Sequence, residues 1–391
     1  MMKKPKRKTV ETNIITFRAN LLPSSETFIQ NQTSSLAHYK NYYLGLRPVK
    51  NSLELPNGKV LLINDGKING LIKEFIFKRT RIIPFKLLRQ LNSISPIICH
   101  AHFGPDAIYA MWFAKYLKIP LIVTFHGYDA TTLLEPTSSN NAKQKNYFKS
   151  KQALIEYASV FIAVSDFIKD KLIQQGYPVH KIIKHHIGIN LDNYTPSNTK
   201  RQKTILFVGR LVEKKGCEYL IKAFTHLSSK SPDTKLIIIG DGPLRQSLED
   251  QASKASINYE FIGNQPNSRV KEWMCKSRIL CVPSIQAKNG DSEGFGMVFI
   301  EAQAVGTPVV SFKSGGIVES VSHKKTGLLA EEKDWKTLSK YLEKLLNDDS
   351  LWQKYSLAGI KRTQNKFDLK KQTHKLETIY MDILKDNPIN Q

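Results

Sequence analysis

Short apolar runs recur along the chain, and each ends in turn residues that lead into a stretch with helical spacing. In the second half the runs are TILFVG, KLIIIGDG, YEFIG, RILCVPS and PVVSF, with amphipathic stretches such as CEYLIKAFTHL between them. The first half repeats the pattern with NIITF, VLLIN, IICHAHFG, PLIVTFHG, VFIAVS and KIIKHHIG. Strands that are apolar throughout are typical of a parallel sheet covered on both faces by helices. The pattern predicts an α/β fold of two Rossmann-like parallel-sheet domains facing each other across a cleft.

A polar segment without periodicity, NYTPSNTKRQK, separates the two halves and predicts a hinge near 195–203. We therefore place one domain at 1–197 and the second at 198–366. The last segment, 367–391, contains a helical pattern over 367–384 with Leu369, Leu376, Ile379 and Ile383 on one side.

Composition and charge narrow the function classes. The 391 residues are 41% apolar and 24% charged, which excludes a mainly disordered chain. No apolar run reaches the roughly 18–20 residues that span a bilayer, and the basic N-terminus lacks the apolar region of a signal peptide, so we expect a cytoplasmic protein. Four cysteines without a C-x-x-C pair indicate neither a zinc site nor a disulfide framework. The net charge of +24 favours nucleic acid, an anionic membrane or phosphorylated small molecules as partners, unless it reflects only a basic solvated surface.

The loop after TILFV carries two cations at the entrance to a helix. Gly209 permits close backbone approach, and Arg210 and Lys215 follow it. A bidentate guanidinium, a point-charge ammonium and free amides at a helix start suit a diphosphate. The loop is neither a G-x-G-x-x-G nor a Walker A sequence, so it does not predict nicotinamide or P-loop chemistry. Surface charges without a ligand are the alternative.

The stretch DSEGFGMVFIEA holds the most informative pattern. Glu293 and Glu301 are separated by seven residues, with a glycine-rich turn between the first carboxylate and the helix that carries the second. The glycines leave amides bare at a helix N-terminus, where a hydroxyl-rich or anionic ligand docks. Two carboxylates with this spacing are suited to bind the two ends of one nucleotide-sugar molecule.

This Glu293-x7-Glu301 element resembles that of the retaining GT-B glycosyltransferases of family 4. The segment DSEGFGMVFIEAQAVGTPVV is similar in sequence to the corresponding segment of exopolysaccharide transferases of the colanic-acid and amylovoran type. The likeness extends through both halves, in SETFI, CHAHFGPDA, TFHGYDAT, HHIGIN, VGRLVEKKG and GDGPL. The resemblance implies two Rossmann-like domains, with the C-terminal helix crossing back onto the first.

The resemblance also implies roles for residues of the second domain. Arg210 and Lys215 would neutralise the donor diphosphate, and Glu301 would bind the ribose hydroxyls. Glu293 and the neighbouring amides would hold the donor sugar. The full donor-binding set comprises Gly209, Arg210, Lys215, Gly263, Gly294, Phe295, Gly296 and Glu301.

In the first domain, His126 would face the reacting sugar, so His126 and Glu293 are the predicted catalytic residues. Glu26, His102 and Asp129 are placed on the acceptor side. For Glu26 the alternatives are an acceptor contact or a helix cap, because the chain has the run Ser25-Glu26-Thr27 where many relatives have a glycine-rich loop. For His100 and His102, packing remains an alternative to a role in the site. For His185 and His186, packing is the favoured interpretation.

The implied reaction transfers a hexose with retention of anomeric configuration from a nucleotide-diphosphate sugar, with UDP favoured over GDP. The acceptor would be a growing, lipid-pyrophosphate-linked glycan of exopolysaccharide, capsule or O-antigen synthesis. No strict D-x-D occurs, so fixed cations would replace a metal, and we expect no metal and no cofactor.

Residues 67–89 carry seven Lys or Arg against one acid, interleaved with Leu, Ile and Phe. This predicts basic amphipathic helices that lie on an anionic membrane surface, with a helix that has one core face and one charged face as the alternative. Other functions considered are a nucleotide-sugar epimerase or phosphorylase of the same fold, and a basic nucleic-acid-binding protein. The aromatic residues fall mainly in apolar runs, which argues against nucleic acid.

Overall fold

The computed structural model describes residues 12–50, 52–132, 142–196 and 200–386. The first sheet is parallel throughout, in the order β3-β2-β1-β4-β5-β6-β7. Its strands are β1 (Thr12–Phe17), β2 (Tyr39–Gly45), β3 (Val60–Leu62), β4 (Ile98–His102), β5 (Leu121–Phe125), β6 (Val160–Ala163) and β7 (Ile182–Lys184). Its helices are α1 (Thr27–Ser34), α2 (Ile68–Thr80), α3 (Phe85–Ile94), α4 (Gly104–Leu117), α5 (Tyr128–Thr131), α6 (Ala142–Tyr157) and α7 (Asp166–Gln174).

The second sheet is also parallel, in the order β10-β9-β8-β11-β12-β13. Its strands are β8 (Gln202–Val208), β9 (Lys235–Ile239), β10 (Tyr259–Gly263), β11 (Ser277–Cys281), β12 (Val309–Phe312) and β13 (Gly327–Ala330). The helices that follow the linker are α8 (Cys217–Ser228), α9 (Arg245–Lys254), α10 (Asn267–Lys276), α11 (Met297–Ala304), α12 (Ile317–Ser320), α13 (Trp335–Asn347), α14 (Asp349–Lys366) and α15 (Leu369–Asp386). Short 3-10 turns lie at Ser24–Glu26, Val179–Lys181, Leu191–Asn193 and Glu213–Lys215.

Strand periodicity explains why the last helix packs on the first sheet. Alternate residues of a strand face opposite sides, and one side of β1, β4, β5 and β6 presents a row of isoleucines. Leu376, Tyr380 and Ile383 of α15 cover that row, and the backbone of Leu369 bonds to Ile189 just after β7. The chain thus returns to the first sheet after completing the second, as the resemblance implied.

The predicted α/β class and the two parallel sheets are confirmed. Two strands were missed, β2 and β13. The segment that forms β2, YKNYYLG, is rich in tyrosine and polar residues, and GLLA is only four residues long. The division after residue 197 stays a prediction, because residues 197–199 lie outside the described residues. No helix in the described part of the chain is both long and apolar enough to cross a membrane.

Candidate active site

Glycine residues allow the loop after β8 to pack closely against the backbone of neighbouring segments. Gly216 has φ +62°, and a Cβ there would lie 1.9 Å from the carbonyl oxygen of Pro283. A Cβ on Gly240 would lie 2.0 Å from the carbonyl oxygen of Gly209, and the Gly240 amide donates to the Gly263 carbonyl at 2.9 Å. Gly209 and Gly263, both predicted in the donor set, therefore lie at the carboxyl ends of β8 and β10, on either side of the end of β9.

The two cations of this loop differ in their surroundings. Arg210 is exposed and makes no ion pair with any residue that the structure describes. Lys215 donates from Nζ to Oε2 of Glu293 at 2.5 Å, and Lys214 pairs with Asp291 at 3.0 Å. Burial alone would raise the pKa of the Glu293 carboxyl, but the two lysines hold that pKa below its ordinary value. Glu293 is therefore ionised at neutral pH. Its partner Lys215 is also a residue of the predicted diphosphate site.

The turn that carries Glu293 contacts His126 of the first domain and Gly316 of the second. A Cβ on Gly294 would lie 2.0 Å from the carbonyl oxygen of His126. From the other side, the Gly316 amide donates to the Glu293 carbonyl at 2.8 Å. Gly296, at φ +82°, leads directly into α11, where a Cβ would collide with the ring of Phe299. The structure thus brings the predicted catalytic pair, His126 and Glu293, onto adjacent segments across the cleft.

Glu301 lies on α11, within the C-terminal side of the cleft. Burial raises the pKa of its carboxyl to about 7, and a hydrogen bond from the Tyr194 hydroxyl partly offsets that rise. Burial also raises the pKa of Tyr194, so its phenol stays protonated at neutral pH. The sequence did not predict this partner, which lies in the linker between the sheets.

His126 ends a row of histidines that runs under the C-terminal helix. His100 bonds to the Tyr380 hydroxyl at 2.6 Å, and His102 Nδ1 lies 2.9 Å from His126 Nε2. The rings of His100 and His102 stack at 4.6 Å, as do those of His102 and His126 at 5.2 Å. Burial lowers the pKa of His126 to about 3, so the ring is neutral. His102 is buried behind His126, and the structure favours a positioning role for it over the predicted acceptor contact.

Asp129 and Glu26 also have structural partners. The Asp129 carboxylate accepts from the amides of Gly104, His126 and Gly127 at 2.9–3.1 Å, and burial raises its pKa to about 6. It shapes the turn that holds His126, rather than standing open to an acceptor. This differs from the acceptor-side placement predicted for it.

Glu26 does not cap α1 through its side chain, whereas its predicted contact with an acceptor stays a prediction. Its carboxylate accepts two hydrogen bonds from Arg18, at 2.8 and 2.6 Å, and makes no helix-capping bond. Arg18 also pairs with Asp106 and lies 4.3 Å from the centre of the Phe103 ring. The resulting buried ionic cluster forms part of the first domain beside the histidines. Arg18 was not predicted from the sequence, because a single Arg near the end of a strand has no pattern that marks it as a site residue.

Phe295, His185 and His186 lie at the contact between the domains. The Phe295 ring stacks on His186 at 5.1 Å, while His185 bonds to the Gln372 carbonyl at 2.8 Å. Ser165 donates from Oγ to the Gly294 carbonyl at 2.6 Å. Packing roles for both histidines agree with the favoured interpretation, whereas Ser165 gave no signal in the sequence.

The described residues contain no group of three or more His, Cys, Asp or Glu placed to hold a metal ion. A cavity of about 840 Å³ lies after β8, beside Glu213, Gly216 and Tyr219. None of the predicted donor residues lines that cavity, so we assign the site to the cleft from its chemistry.

Solved structures share the architecture. The Anabaena protein Alr3699/HepE, solved in complex with UDP, matches with a TM-score of 0.74 at 16% identity, over 95% of this chain and 100% of that one. A glycosyltransferase from Rickettsia africae matches with a TM-score of 0.74 at 20% identity, over 97% of this chain and 100% of that one. At these identities the likeness shows the fold, which is GT-B.

Relatives and family descriptions agree with the fold. The putative colanic acid biosynthesis glycosyltransferase WcaL of Escherichia coli (strain K12) is 30% identical over 62% of this chain and 59% of its own length. The capsular polysaccharide biosynthesis glycosyltransferase CapM of Staphylococcus aureus is 30% identical over 59% of this chain and 63% of its own. The matches thus span about three fifths of the length of these relatives.

Two family descriptions match adjoining parts of the chain: "Glycosyltransferase Family 4" over residues 58–193 and "Glycosyl transferases group 1" over residues 193–362. Together they cover most of both sheets and meet at the linker, next to Tyr194. The chain therefore contains regions that match both glycosyltransferase descriptions, on a GT-B fold.

Proposed function

We propose that this protein is a retaining glycosyltransferase that moves a hexose from a nucleotide-diphosphate sugar to a growing glycan without a metal ion. The observation that carries the proposal is the convergence of Lys215, Glu293 and the His126–Gly127 segment at one point of the cleft. Cations, an ionised carboxylate and a neutral imidazole are the groups that such a transfer needs at the anomeric carbon and its leaving diphosphate.

The chemistry follows from the charges. As the bond between the anomeric carbon and the diphosphate oxygen breaks, negative charge grows on the leaving group. Arg210, which has no competing ion pair in the described structure, and Lys215 would stabilise that charge. Glu293 would keep Lys215 in place before the donor arrives and then bind hydroxyls of the donor sugar. The imidazole of His126, neutral at all physiological pH values, would contact the sugar without adding a repelling positive charge near the developing oxocarbenium ion.

A uridine nucleotide is the donor we favour. The support is that the Alr3699/HepE structures contain UDP and, in one case, UDP-glucose. Relatives named for colanic acid and capsule biosynthesis support exopolysaccharide or capsule assembly as the process, and a lipid-pyrophosphate-linked glycan as the acceptor.

We also propose peripheral attachment to an anionic membrane through α2 and α3. On α2 the residues Ile68, Leu71, Ile72, Phe75 and Ile76 recur at helical spacing and are all exposed, so the apolar stripe faces solvent. Ile82 and Phe85 extend that surface. The alternative of an ordinary helix with its apolar face in the core does not fit this orientation.

The charges around the stripe favour anionic lipid. Lys67, Lys73, Arg79 and Lys86 are exposed beside it. Glu74, the single acid of the segment, is buried and paired with Arg47 and Lys78. The segment 67–89 therefore exposes apolar side chains and cations while its single acid is buried, a combination that binds the interface of an anionic bilayer.

Calorimetric titration with UDP, GDP and ADP tests the proposed donor site. We expect UDP to bind wild type and Lys203→Ala, whose lysine forms an exposed pair with Asp233. Binding should weaken about 10- to 100-fold in Lys215→Ala, because a charged contact to the diphosphate is lost. Circular dichroism would check that Lys215→Ala stays folded. Equal binding of UDP to wild type and Lys215→Ala would contradict the assignment of the site.

A further inference from the structure

The cavity of about 840 Å³ in the second domain has a lining of its own. Its walls come from segments that follow β8, β9, β11 and β13, so it lies at the carboxyl ends of these strands. Its volume is within the range of about 300–1,000 Å³ that is typical of pockets for small organic ligands. None of the residues predicted to bind the donor lines it, so it is separate from the donor site.

The charges of the lining favour some ligands over others. Three carboxylates line the cavity and are half-buried, those of Glu213, Glu218 and Glu332, whereas its two lysines, Lys288 and Lys333, are exposed. Glu213 and Glu332 make no ion pair with any residue that the structure describes, although the chain has 58 Lys and Arg residues. The interior of the cavity therefore repels phosphate groups and other anions and favours groups that donate hydrogen bonds.

Tyr219 adds an aromatic wall with a polar tip. Its ring packs edge-on against Phe312, with the ring centroids 5.8 Å apart, and Lys222 Nζ lies 5.1 Å from the ring centroid. Lys222 also pairs with Glu218 at 3.5 Å, so the ring and this carboxylate are held beside each other. Burial and the neighbouring carboxylates raise the pKa of Tyr219, so its hydroxyl stays protonated and can donate.

The remaining polar groups of the lining are neutral. They are the hydroxyl of Ser247 and the amides of Gln251 and Gln286. Donors and acceptors beside an aromatic ring suit the hydroxyls of a sugar, each of which both donates and accepts. A metal ion does not fit the carboxylates, because the described residues include no group of three His, Cys, Asp or Glu placed to hold one.

The cavity shares its loops with the proposed donor site. In the loop after β8, Lys215 of the donor site directly precedes Gly216 of the cavity. An amide of residues 285–290, most of which line the cavity, donates to the Lys214 carbonyl at 2.9 Å. Residues 285–290 then lead directly into the turn that carries Glu293. A ligand in the cavity would therefore lie beside the proposed reacting centre without occupying it.

We infer that this cavity is a glycan subsite, which holds neutral sugar units of the acceptor chain beyond the unit that reacts. The inference rests on the proposed function, in which the acceptor is a growing glycan. A sugar ring would lie against Tyr219, donate from its hydroxyls to Glu213 and Glu332, and accept a hydrogen bond from the Tyr219 hydroxyl. Such units would add binding energy to the acceptor without touching the donor.

The experiment is calorimetric titration of the full chain, with and without UDP, against maltotetraose, cellotetraose, mannotetraose and the acidic tetragalacturonate. We expect at least one neutral tetrasaccharide to bind, and tetragalacturonate to bind more weakly than that one because the half-buried carboxylates repel it. Glu332→Gln should weaken the neutral ligand about three- to tenfold, since a charge-assisted hydrogen bond becomes a neutral one.

A matched pair of variants locates the bound saccharide. Ser247→Trp places a large ring on the wall of the cavity and should lower the affinity for the neutral tetrasaccharide at least about tenfold. Gln246→Trp is the control, because Gln246 is an exposed neighbour on α9 that bonds to Asp250 and does not line the cavity. It should bind the saccharide as wild type does. UDP affinity should be unchanged in both variants, which also shows that they are folded.

The outcomes separate the two hypotheses. If no neutral tetrasaccharide binds, or if Ser247→Trp binds it as tightly as Gln246→Trp while UDP still binds, the glycan subsite is wrong and the donor site stands. Tighter binding of tetragalacturonate than of every neutral ligand would also overturn the inference. If wild type binds a tetrasaccharide and no nucleotide, the proposed function fails, and the assignment of the cavity to its acceptor fails with it.

Discussion

At the scale of residues, glycine determines how closely the two domains meet. A Cβ on Gly294 would lie 2.0 Å from the carbonyl oxygen of His126 in the first domain, and a Cβ on Gly316 of the second would lie 2.0 Å from the carbonyl oxygen of Gly294. The sequence predicted that glycines near Glu293 leave amides open to a ligand. The structure adds that Gly294 is also the contact through which His126 and the Glu293 turn approach each other.

Gly294→Ala tests this contact. A Cβ 2.0 Å from the His126 carbonyl oxygen would force the domains or the turn apart, so we expect sugar transfer or donor hydrolysis to fall at least about 100-fold, with each domain still folded. Gly58→Ala is the control, since a Cβ there meets nothing within 4 Å and only the left-handed φ of +75° is strained. Activity in Gly294→Ala close to that of Gly58→Ala would show that the close approach is unnecessary.

Some functional side chains could be predicted from the sequence and others could not. Arg210, Lys215, Glu293 and Glu301 lie in local motifs whose spacing is itself informative. Ser165, by contrast, donates to the carbonyl of Gly294, which is 129 positions away in the chain. Such contacts depend on how the sheets are placed, which local spacing does not determine.

At the scale of elements, the apolar runs predicted most strands because buried parallel strands are apolar on both faces. β2, which lies next to the edge strand β3 of the first sheet, was harder to predict because it carries tyrosines and polar residues at positions that are partly buried. The roles of histidine in β4 were also not determined by pattern. Ile98, His100 and His102 lie on one face of β4, and the imidazole of His100 bonds to Tyr380 of α15, a helix from the far end of the chain.

The exposed apolar stripe of α2 yields a prediction for membrane binding. Wild type should co-sediment with phosphatidylglycerol vesicles and not with neutral phosphatidylcholine vesicles. The double variant Phe75→Ser/Phe85→Ser should lose at least about tenfold in affinity, because two exposed aromatic rings, at 71% and 74%, no longer enter the bilayer.

The control for this measurement is Leu357→Ser, which removes a 60% exposed apolar side chain of α14 in the other domain. It should bind vesicles as wild type does. Equal binding of wild type to anionic and neutral vesicles would refute the proposed attachment.

At the scale of the whole molecule, two parallel sheets face each other with their strand ends at a common cleft, and the last helix returns to the first sheet. The sequence predicted this arrangement through strand–helix alternation and through the family resemblance. The domain contact itself was not predictable. It depends on Ser165, Gly294 and Phe295, which meet only once both domains are folded.

The central claim is that the cleft transfers a hexose from a nucleotide-sugar with retention and with fixed cations in place of a metal. The most direct measurement is proton NMR of UDP-hexose hydrolysis by the protein in the presence of EDTA, followed from the first minutes. We expect slow release of UDP, with the sugar appearing first in the anomeric configuration of the donor, and a rate about 10²–10³ lower in Lys215→Ala. Release of the inverted anomer, or hydrolysis only when Mg²⁺ or Mn²⁺ is added, would contradict it.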